Sequence, residues 1–187
     1  MHPLDRWFRL RLPVAAGAIL TTVLLVGWFT QPDRYALGYT PDQPIAFSHK
    51  LHAGDNKVPC LYCHTGADRS RHAGVPPLDT CMNCHRYART DKPAIQKITA
   101  LYEKGETLAW NRIYDLPGHV YFDHRPHVRA GIACQECHGP VETMDKVRRV
   151  MNMRMGQCLA CHRGEHAYLV AQPSVRRAPE ECSTCHR

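Results

Sequence analysis

The stretch FSHKLHAGDNKVPCLYCH, residues 47–64, places two histidines three positions apart, shortly before a Cys-x-x-Cys-His motif. The chain repeats this layout in FDHRPHVRAGIACQECH, residues 122–138. Each stretch therefore combines a Phe-x-His-x-x-His turn with two thiols and a third histidine directly after them. Thiols and imidazoles concentrated in this way point to a site that binds a metal or a metal-containing group.

Five copies of Cys-x-x-Cys-His account for all ten cysteines of the 187-residue chain. This motif is the attachment signature of c-type haem: the two thiols bond to the porphyrin, and the histidine binds the iron from one side. Five haem c groups are therefore predicted. The predicted attachment residues are Cys60, Cys63, Cys81, Cys84, Cys134, Cys137, Cys158, Cys161, Cys182 and Cys185, and the predicted proximal iron ligands are His64, His85, His138, His162 and His186.

Cysteines have three other common uses that compete with haem attachment. Ten cysteines in an exported chain can form disulfides, pairs of Cys-x-x-Cys can hold zinc, and a single Cys-x-x-Cys can be a redox dithiol. None of these requires a histidine after every second cysteine. Five complete motifs with no stray cysteine favour haem.

The attachment motif supplies one axial iron ligand, and a second must come from elsewhere in the chain. The paired histidines are candidates for this second ligand. Residues three apart on a helical turn project from neighbouring points, so one histidine can reach one haem and the other a neighbouring haem. The predicted distal ligands are His49, His52, His124 and His127.

A fifth distal ligand is still required. Met155, just before the fourth motif, is the predicted one, because a thioether binds haem iron and raises its potential relative to histidine. His72 and His166 are reserves, His119 is expected on the surface, and His2 is excluded as cytoplasmic. With every iron six-coordinate, and with no Cys-x-x-Cys-Lys motif, we expect electron transfer and no catalytic site in the chain itself.

The uncharged run LPVAAGAILTTVLLVGWF, residues 12–29, predicts a transmembrane anchor. As a helix it spans about 27 Å, close to the roughly 30 Å hydrocarbon core of a bilayer. Arginines concentrate in residues 1–11, so the N-terminus is expected in the cytoplasm and the haem part in the periplasm, anchored to the inner membrane by a single pass. The alternative is a cleaved signal peptide, although no small-x-small cleavage site follows.

The rest of the chain contains a duplication. Each repeat opens with the Phe-x-His-x-x-His turn and holds two attachment motifs, and a fifth motif stands alone at the C-terminus. So short a chain cannot wrap each haem in a core of its own, so the haems are expected to pack against one another. Short helices are expected to follow the attachment motifs, and no stretch has a convincing sheet pattern. We therefore predict a mainly helical or irregular haem-packed fold with little sheet. The predicted divisions are a linker at 30–44, a haem domain at 45–187, repeats at 45–86 and 120–163, a connecting region at 87–119 and the last motif at 182–186.

The connecting region contains one predicted helix, within DKPAIQKITALYEKG. Asp91 is expected to cap it, Pro93 to lie in its first turn and Gly105 to end it. One face, formed by Ile95, Ile98, Leu101 and Tyr102, is predicted to pack against the rest of the domain.

The net charge of +7 does not indicate a nucleic-acid partner. Five haems bring about −10 from their propionates and about +5 from ferric iron, which leaves a total near +2. Many basic side chains are therefore expected to neutralise propionates, and no nucleic acid is predicted as a partner.

The arrangement of Phe-x-His-x-x-His followed by Cys-x-x-Cys-His resembles the class III multihaem cytochromes c. That resemblance implies that the first histidine of each pair binds the haem attached just downstream. His49 would then serve the haem on Cys60 and Cys63, and His124 the haem on Cys134 and Cys137. The second histidine of each pair would serve a different haem, which is left open.

Four longer stretches, FSHKLHAG, CLYCHTGADRSRHAGVPPLDTCMNCH, YDLPGHVYFDHRPHVRAGIACQECHGPV and MGQCLACHR, are similar to the membrane-anchored pentahaem cytochrome c subunits of alternative complex III. The resemblance covers nearly the whole chain. It implies an iron–sulfur subunit, polytopic quinol-binding subunits and a monohaem cytochrome c as partners, with electrons passing from quinol to a cytochrome c or a terminal oxidase. The alternatives are a stand-alone membrane-anchored quinol dehydrogenase that feeds a periplasmic reductase and, more remotely, a haem enzyme.

Overall fold

The computed structural model describes residues 3–30, 36–170 and 178–186. In these residues the backbone is helical or irregular, and the β-type pairing is an isolated antiparallel bridge between Val120 and His186. The predicted fold class is confirmed for this part of the chain. Its α-helices are α1 (Pro3–Phe29), α2 (Cys60–Cys63), α3 (Leu78–His85), α4 (Pro93–Glu103), α5 (His124–Arg129), α6 (Gln135–His138), α7 (Met155–His162), α8 (Ala167–Val170) and α9 (Cys182–Cys185).

Helix α1 belongs to the first of two compact units, which meet between Tyr35 and Ala36. Its segment Trp7–Phe29 has a mean hydropathy of 2.0 and is long enough to cross a membrane, a test that a signal sequence also passes. The hydroxyls of Thr21 and Thr22 donate to carbonyls four residues back, so these polar groups are satisfied within the helix. The helix begins well before the predicted anchor at 12–29.

The second part of the predicted linker is bound to the haem unit. Gly38 N donates to Arg149 O at 2.8 Å, and Arg149 N donates to Tyr39 O at 2.9 Å. The hydroxyl of Thr40 donates to Val147 O at 3.0 Å. Residues 36–44 therefore form a strap along the second unit, while residues 31–35 of the predicted linker lie outside the described residues.

The attachment motifs themselves are helical, whereas short helices had been expected to follow them. CLYC forms α2, CSTC forms α9, and the other three motifs end α3, α6 and α7. Helices of four to eight residues are not stable alone in water. Packing within the unit must therefore hold them. In four of the five motifs both cysteines lie within the helix, and in the third motif Cys134 is the N-cap residue of α6.

Helices α3 and α4 form the main apolar cluster, made by Leu78, Met82 and Ile98. Ile98 is 2% exposed, and burying such a side chain stabilises the fold by about 1.5–3 kcal/mol. The predicted face of α4 is confirmed, because the other residues named for it pack on this cluster: Ile95, Leu101 and Tyr102.

The ends of α4 match the sequence in part. Pro93 occupies the first turn, and Gly105, with a φ of +68°, follows the last turn. The predicted cap is wrong: Lys92 occupies the N-cap position, and Asp91 instead lies 3.0 Å from the Lys92 ammonium. A proline that fixes the first turn makes a side-chain cap less necessary.

The apolar core is small. Among the described residues, the buried apolar side chains are Ala67, Leu78, Met82, Ile98 and Met144. A unit of this length normally buries far more apolar surface. The polypeptide thus leaves much of its interior to be completed by another apolar body, which fits the predicted porphyrins.

The two distal-ligand turns differ in local structure. Residues Lys50–Asp55 form a π-helical turn, whereas the corresponding residues of the second repeat form α5. The π-helical turn packs against a 3-10 turn, Val141–Thr143. Gly54 lies against the Glu142 carbonyl so closely that a side chain there would overlap it. This contact joins the first repeat to the segment after the third motif.

Candidate haem-binding sites

Three predicted distal histidines lie opposite motif histidines, with ring centroids about 6 Å apart. The distances are 6.1 Å for His52–His85, 6.4 Å for His124–His138 and 6.1 Å for His127–His162. An iron between two imidazole nitrogens, each bond about 2 Å as known for zinc, separates the ring centroids by roughly 6 Å. Each pair therefore has the spacing of two axial ligands of one iron. Sites 1 to 5 are named here after the order of the attachment motifs.

Hydrogen bonds from Nδ1 hold many of these imidazoles. In ring after ring, Nδ1 donates to a backbone carbonyl, which leaves Nε2 as the nitrogen free to bind a metal. Metal-binding histidines are commonly oriented in this way. The bonds are His52 to Ser48 O (2.8 Å), His64 to Gly74 O (2.7 Å), His85 to Ala88 O (2.9 Å), His124 to Arg71 O (2.9 Å), His127 to Asp123 O (2.7 Å), His162 to Pro179 O (2.7 Å) and His186 to His119 O (3.3 Å).

At site 1 the charge of the motif histidine His64 acts on the predicted distal ligand His49. Burial first, and then the charges of His64 and His52, lowers the pKa of His49 to about 4. In site 3, burial followed by the charges of His124 and His64 lowers the pKa of His138 to about 4. These imidazoles are therefore neutral at physiological pH, and the neutral form is the one that binds a metal.

Two phenylalanines fix the distal pairs and explain the aromatic residue of the repeated motif. Phe47 is stacked on His52, with centroids 4.4 Å apart and an interplanar angle of 20°, and meets His49 edge-on at 4.9 Å. Phe122 lies 4.7 Å from His127 and 4.8 Å from His124. Each phenylalanine thus contacts both imidazoles of its turn and limits their rotation.

The cysteines are available for covalent attachment. All ten lie in described segments, are unbonded to one another, and are exposed or half-buried. Burial is the first cause that raises the pKa of Cys137 to about 11, so this thiol is protonated. Within the described residues no three His, Cys, Asp or Glu side chains converge as a structural zinc site requires. Thiol pairs beside opposed imidazoles fit c-type haem.

The predicted fifth distal ligand and its reserves differ from the paired histidines in their surroundings. Met155 is the first residue of α7 and is 63% exposed. His72 is exposed and His166 is half-buried. His119, expected on the surface, is exposed, yet its ring lies 5.7 Å from that of His186 at an interplanar angle of 22°.

Sites 1 and 2 are neighbours through two connections. His49 is the N-cap residue of the π-helical turn that contains His52. His52 faces His85 of site 2, and the charge of His64 at site 1 acts on His49. In addition, the Asn83 side chain of α3 donates to the Tyr62 hydroxyl of α2 at 2.9 Å.

Sites 1 and 3 are joined across the two repeats by Arg71. Its carbonyl accepts from both N and Nδ1 of His124, at 3.2 and 2.9 Å, and its Nε donates to Phe122 O at 3.0 Å. Arg129 Nε also donates to Asp68 O at 3.1 Å. The segment after the first motif thus positions a distal ligand of the third.

Sites 3, 4 and 5 continue the series. His124 and His127 share α5 and face the histidines of the third and fourth motifs. His162 Nδ1 donates to Pro179 O at 2.7 Å, and Arg163 pairs with Glu180 at 3.0 Å, which joins site 4 to the segment leading into α9. These contacts connect site 3 to site 4, and site 4 to the segment that precedes the fifth motif.

Comparison with known proteins shows what the chain is similar to. Residues 120–187 match the family model described as cytochrome c7 and related cytochrome c. The match lies in the C-terminal part of the chain, which contains the last three attachment motifs, so this part is similar to cytochrome c7 and related cytochromes c. The chain is also similar to a protein of Nitratidesulfovibrio vulgaris (strain Hildenborough) named "Menaquinone reductase, multiheme cytochrome c subunit". The two are 29% identical over 189 residues, which cover 90% of this chain and 87% of that one.

His119 is the residue that the sequence analysis passed over. A signal was present: it lies three positions before Phe122, where the first repeat has Pro44 before Phe47. The second repeat is followed by an attachment motif that belongs to neither repeat, and just before its Phe-x-His-x-x-His turn it has a histidine that the first repeat lacks.

Proposed function

We propose that this chain is an electron-relay subunit that carries five c-type haems in a membrane-bound, quinol-linked respiratory complex. The observation that carries the proposal is the series of opposed imidazole pairs, each beside the two thiols of an attachment motif. When bound, each haem supplies reversible one-electron transfer. At these sites the opposed histidines would hold the iron from both sides, which would leave no position open for substrate.

The chain's own contacts support a linear relay. The distal turn of each repeat serves two sites, so it holds sites 1 and 2 together, and likewise sites 3 and 4. Arg71 holds site 1 against site 3. The segment around Pro179 continues the series to site 5. In this proposal sites 2 and 5 are the ends of the relay, where electrons enter and leave.

The complex we propose is of the alternative complex III type. The resemblance described above implies an iron–sulfur subunit, polytopic quinol-binding subunits, a monohaem cytochrome c and a terminal oxidase as partners, with Trp7–Phe29 as the anchor in the inner membrane. The apolar helix supports the membrane location. The similarity to a subunit of a menaquinone reductase supports a link to quinones.

A second direction of electron flow is favoured by that same relative, whose name assigns it to a menaquinone reductase. In this version the relay receives electrons from a periplasmic donor and delivers them toward menaquinone. The same residues hold the relay in both versions. The partners at sites 2 and 5 and the potentials of the electron donor and acceptor decide the direction.

The experiment is to isolate the native assembly from gently solubilised membranes through a C-terminal tag on the full chain. We expect an iron–sulfur subunit and polytopic proteins to co-purify, with quinol-dependent reduction of cytochrome c. Menaquinone reduction by a reduced periplasmic cytochrome, without quinol oxidation, would support the second direction. A chain that runs alone and oxidises quinol would contradict the proposal and support the stand-alone quinol dehydrogenase.

The linear order has its own test in the same assembly. Replacing Cys134 and Cys137 by Ser removes covalent attachment at the central site, and replacing Cys182 and Cys185 by Ser does so at an end. Loss of the central site should interrupt the relay. We therefore expect the haems beyond it, on the side away from the natural electron donor, to be reduced slowly. Loss of site 5 should leave the other four in rapid contact. Equal effects of the two variants would contradict the order.

A further inference from the structure

We propose that His119 is the distal iron ligand of site 5, opposite His186, so that all five irons are bound by two histidines and none by Met155. This inference rests on the proposed haem binding and adds a ligand that the pattern of the two repeats does not contain.

The geometry at site 5 matches that of the other sites. The rings of His119 and His186 are 22° from parallel with centroids 5.7 Å apart, compared with 6.1–6.4 Å at sites 2, 3 and 4. Such a gap leaves room for a metal ion and two metal–nitrogen bonds of about 2 Å. His186 Nδ1 donates to the His119 carbonyl, which leaves its Nε2 free for iron.

The backbone around His119 is held in register with the fifth motif. Val120 and His186 form the isolated antiparallel bridge, and Tyr121 N donates to Cys185 O at 2.6 Å. These bonds join two segments that are far apart in the sequence at the place where the two rings meet. A histidine without a role at the surface would not need backbone hydrogen bonds between its neighbours and the fifth Cys-x-x-Cys-His motif.

Counting ligands leads to the same assignment. His52, His124 and His127 lie opposite the motif histidines of sites 2, 3 and 4. His49 is the remaining histidine of the paired turns, and the charge of His64 at site 1 acts on it. Site 5 is the one for which neither repeat provides a paired histidine. His119 stands directly before the second Phe-x-His-x-x-His turn.

The position of Met155 agrees with this assignment. It opens the helix that carries the fourth motif, whose histidine already faces His127, and it is 63% exposed. A thioether ligand raises the potential of a haem. With His119 as the fifth distal ligand and Met155 unbound, the one haem that was expected to have a raised potential is a low-potential haem like the others.

The test compares ligand variants of the full chain, purified from membranes and separated from every other haem-carrying subunit. For the wild type we expect five c-type haems per chain by haemochrome assay, all low-spin, with no charge-transfer band of a methionine–iron bond. In His119→Ala, one haem in five should become high-spin and bind CO when reduced, and added imidazole should restore the low-spin state. Met155→Ala and His72→Ala are the matched controls and should leave the spectrum unchanged.

His119→Met is the second test variant. It keeps a side chain that can bind iron, so it tests the assignment even where the alanine variant fails to fold. It should keep five low-spin haems, introduce the methionine–iron band and raise the potential of one haem. The inference is overturned if His119→Ala stays fully low-spin, or if Met155→Ala is the variant that becomes high-spin. Fewer than five haems in the wild type would instead count against the proposed function, which separates the two failures.

Discussion

His52 and His85 belong to different segments of the chain, yet their imidazole rings face each other with centroids 6.1 Å apart and an interplanar angle of 64°. His52 lies on the π-helical turn of the first repeat, and His85 ends α3 with the second motif. The turn before one attachment motif therefore places a histidine opposite the histidine of the next motif. This crossing brings sites 1 and 2 together, as the proposed relay requires.

The aromatic residue of the distal turn should control ligation at two sites. Phe47→Ala removes a ring that contacts both His49 and His52. Because Phe47 is half-buried, we expect a loss of about 1–3 kcal/mol in unfolding free energy. We also expect partial CO binding after reduction, measured by absorbance, since the two imidazoles lose their support. Phe122→Ala should act in the same way at sites 3 and 4.

Tyr87→Ala is the control for the phenylalanine variants, because Tyr87 is 89% exposed and lies directly after α3. It should change the unfolding free energy by at most about 0.5 kcal/mol and leave CO binding unchanged. If both phenylalanine variants also leave CO binding and stability unchanged, the assigned role of these rings is wrong.

Replacing a distal histidine by methionine should shift one haem potential. In His52→Met the thioether takes the place of the imidazole opposite His85, and a thioether raises the potential relative to histidine. A redox titration followed by absorbance should show one of five components moved upward. His72→Met, at an exposed position, should leave all five in place. A titration curve of His52→Met that overlays the wild type would remove His52 from the ligand set.

The angles between paired imidazoles predict different electron paramagnetic resonance signals. The planes at site 3 are 7° apart and those at site 2 are 64° apart. Near-parallel planes separate the iron d orbitals and give an ordinary rhombic low-spin signal, whereas steeply crossed planes leave two orbitals nearly equal and give a strongly anisotropic signal. His52→Ala should abolish a strongly anisotropic component, and His124→Ala a rhombic one. The reverse pattern would contradict the ring orientations.

Arg71 should hold the two repeats together. Its Nε donates to Phe122 O at 3.0 Å, and its guanidinium lies 3.4 Å from the centroid of the Tyr121 ring. Arg71→Ala should therefore lower the unfolding free energy by about 1–2 kcal/mol, measured by thermal unfolding. Arg69→Ala, which removes a highly exposed arginine paired with Asp68, should have little effect. Equal losses in the two variants would show that Arg71 has no special role at this junction.

Much of the donor set could be predicted from the sequence, because covalent haem attachment requires a fixed local spacing. The cysteines, the motif histidines and the two Phe-x-His-x-x-His turns are all local patterns. The packing face of α4 was also predictable, since Ile95, Ile98 and Leu101 follow the helical period. The mainly helical fold followed from the same local reasoning.

The remaining features depend on contacts between distant segments. His119 reaches site 5 because residues 120 and 121 are bonded to residues 185 and 186, a pairing with no local pattern. The strap at 36–44 resembles a linker in composition, yet its backbone is bonded along residues 147–149. Proximity in sequence favoured Met155, but side-chain position along a helix is set by packing, and this side chain points into solvent.

The intact mass of the chain, measured after purification from membranes and denaturation, tests the central claim most directly. Haem c stays covalently attached under these conditions, whereas zinc and non-covalent groups are lost. The account predicts a polypeptide heavier than the 21.3 kDa chain by the mass of five haems. A bare polypeptide, or a chain with fewer than five attached haems, would contradict it.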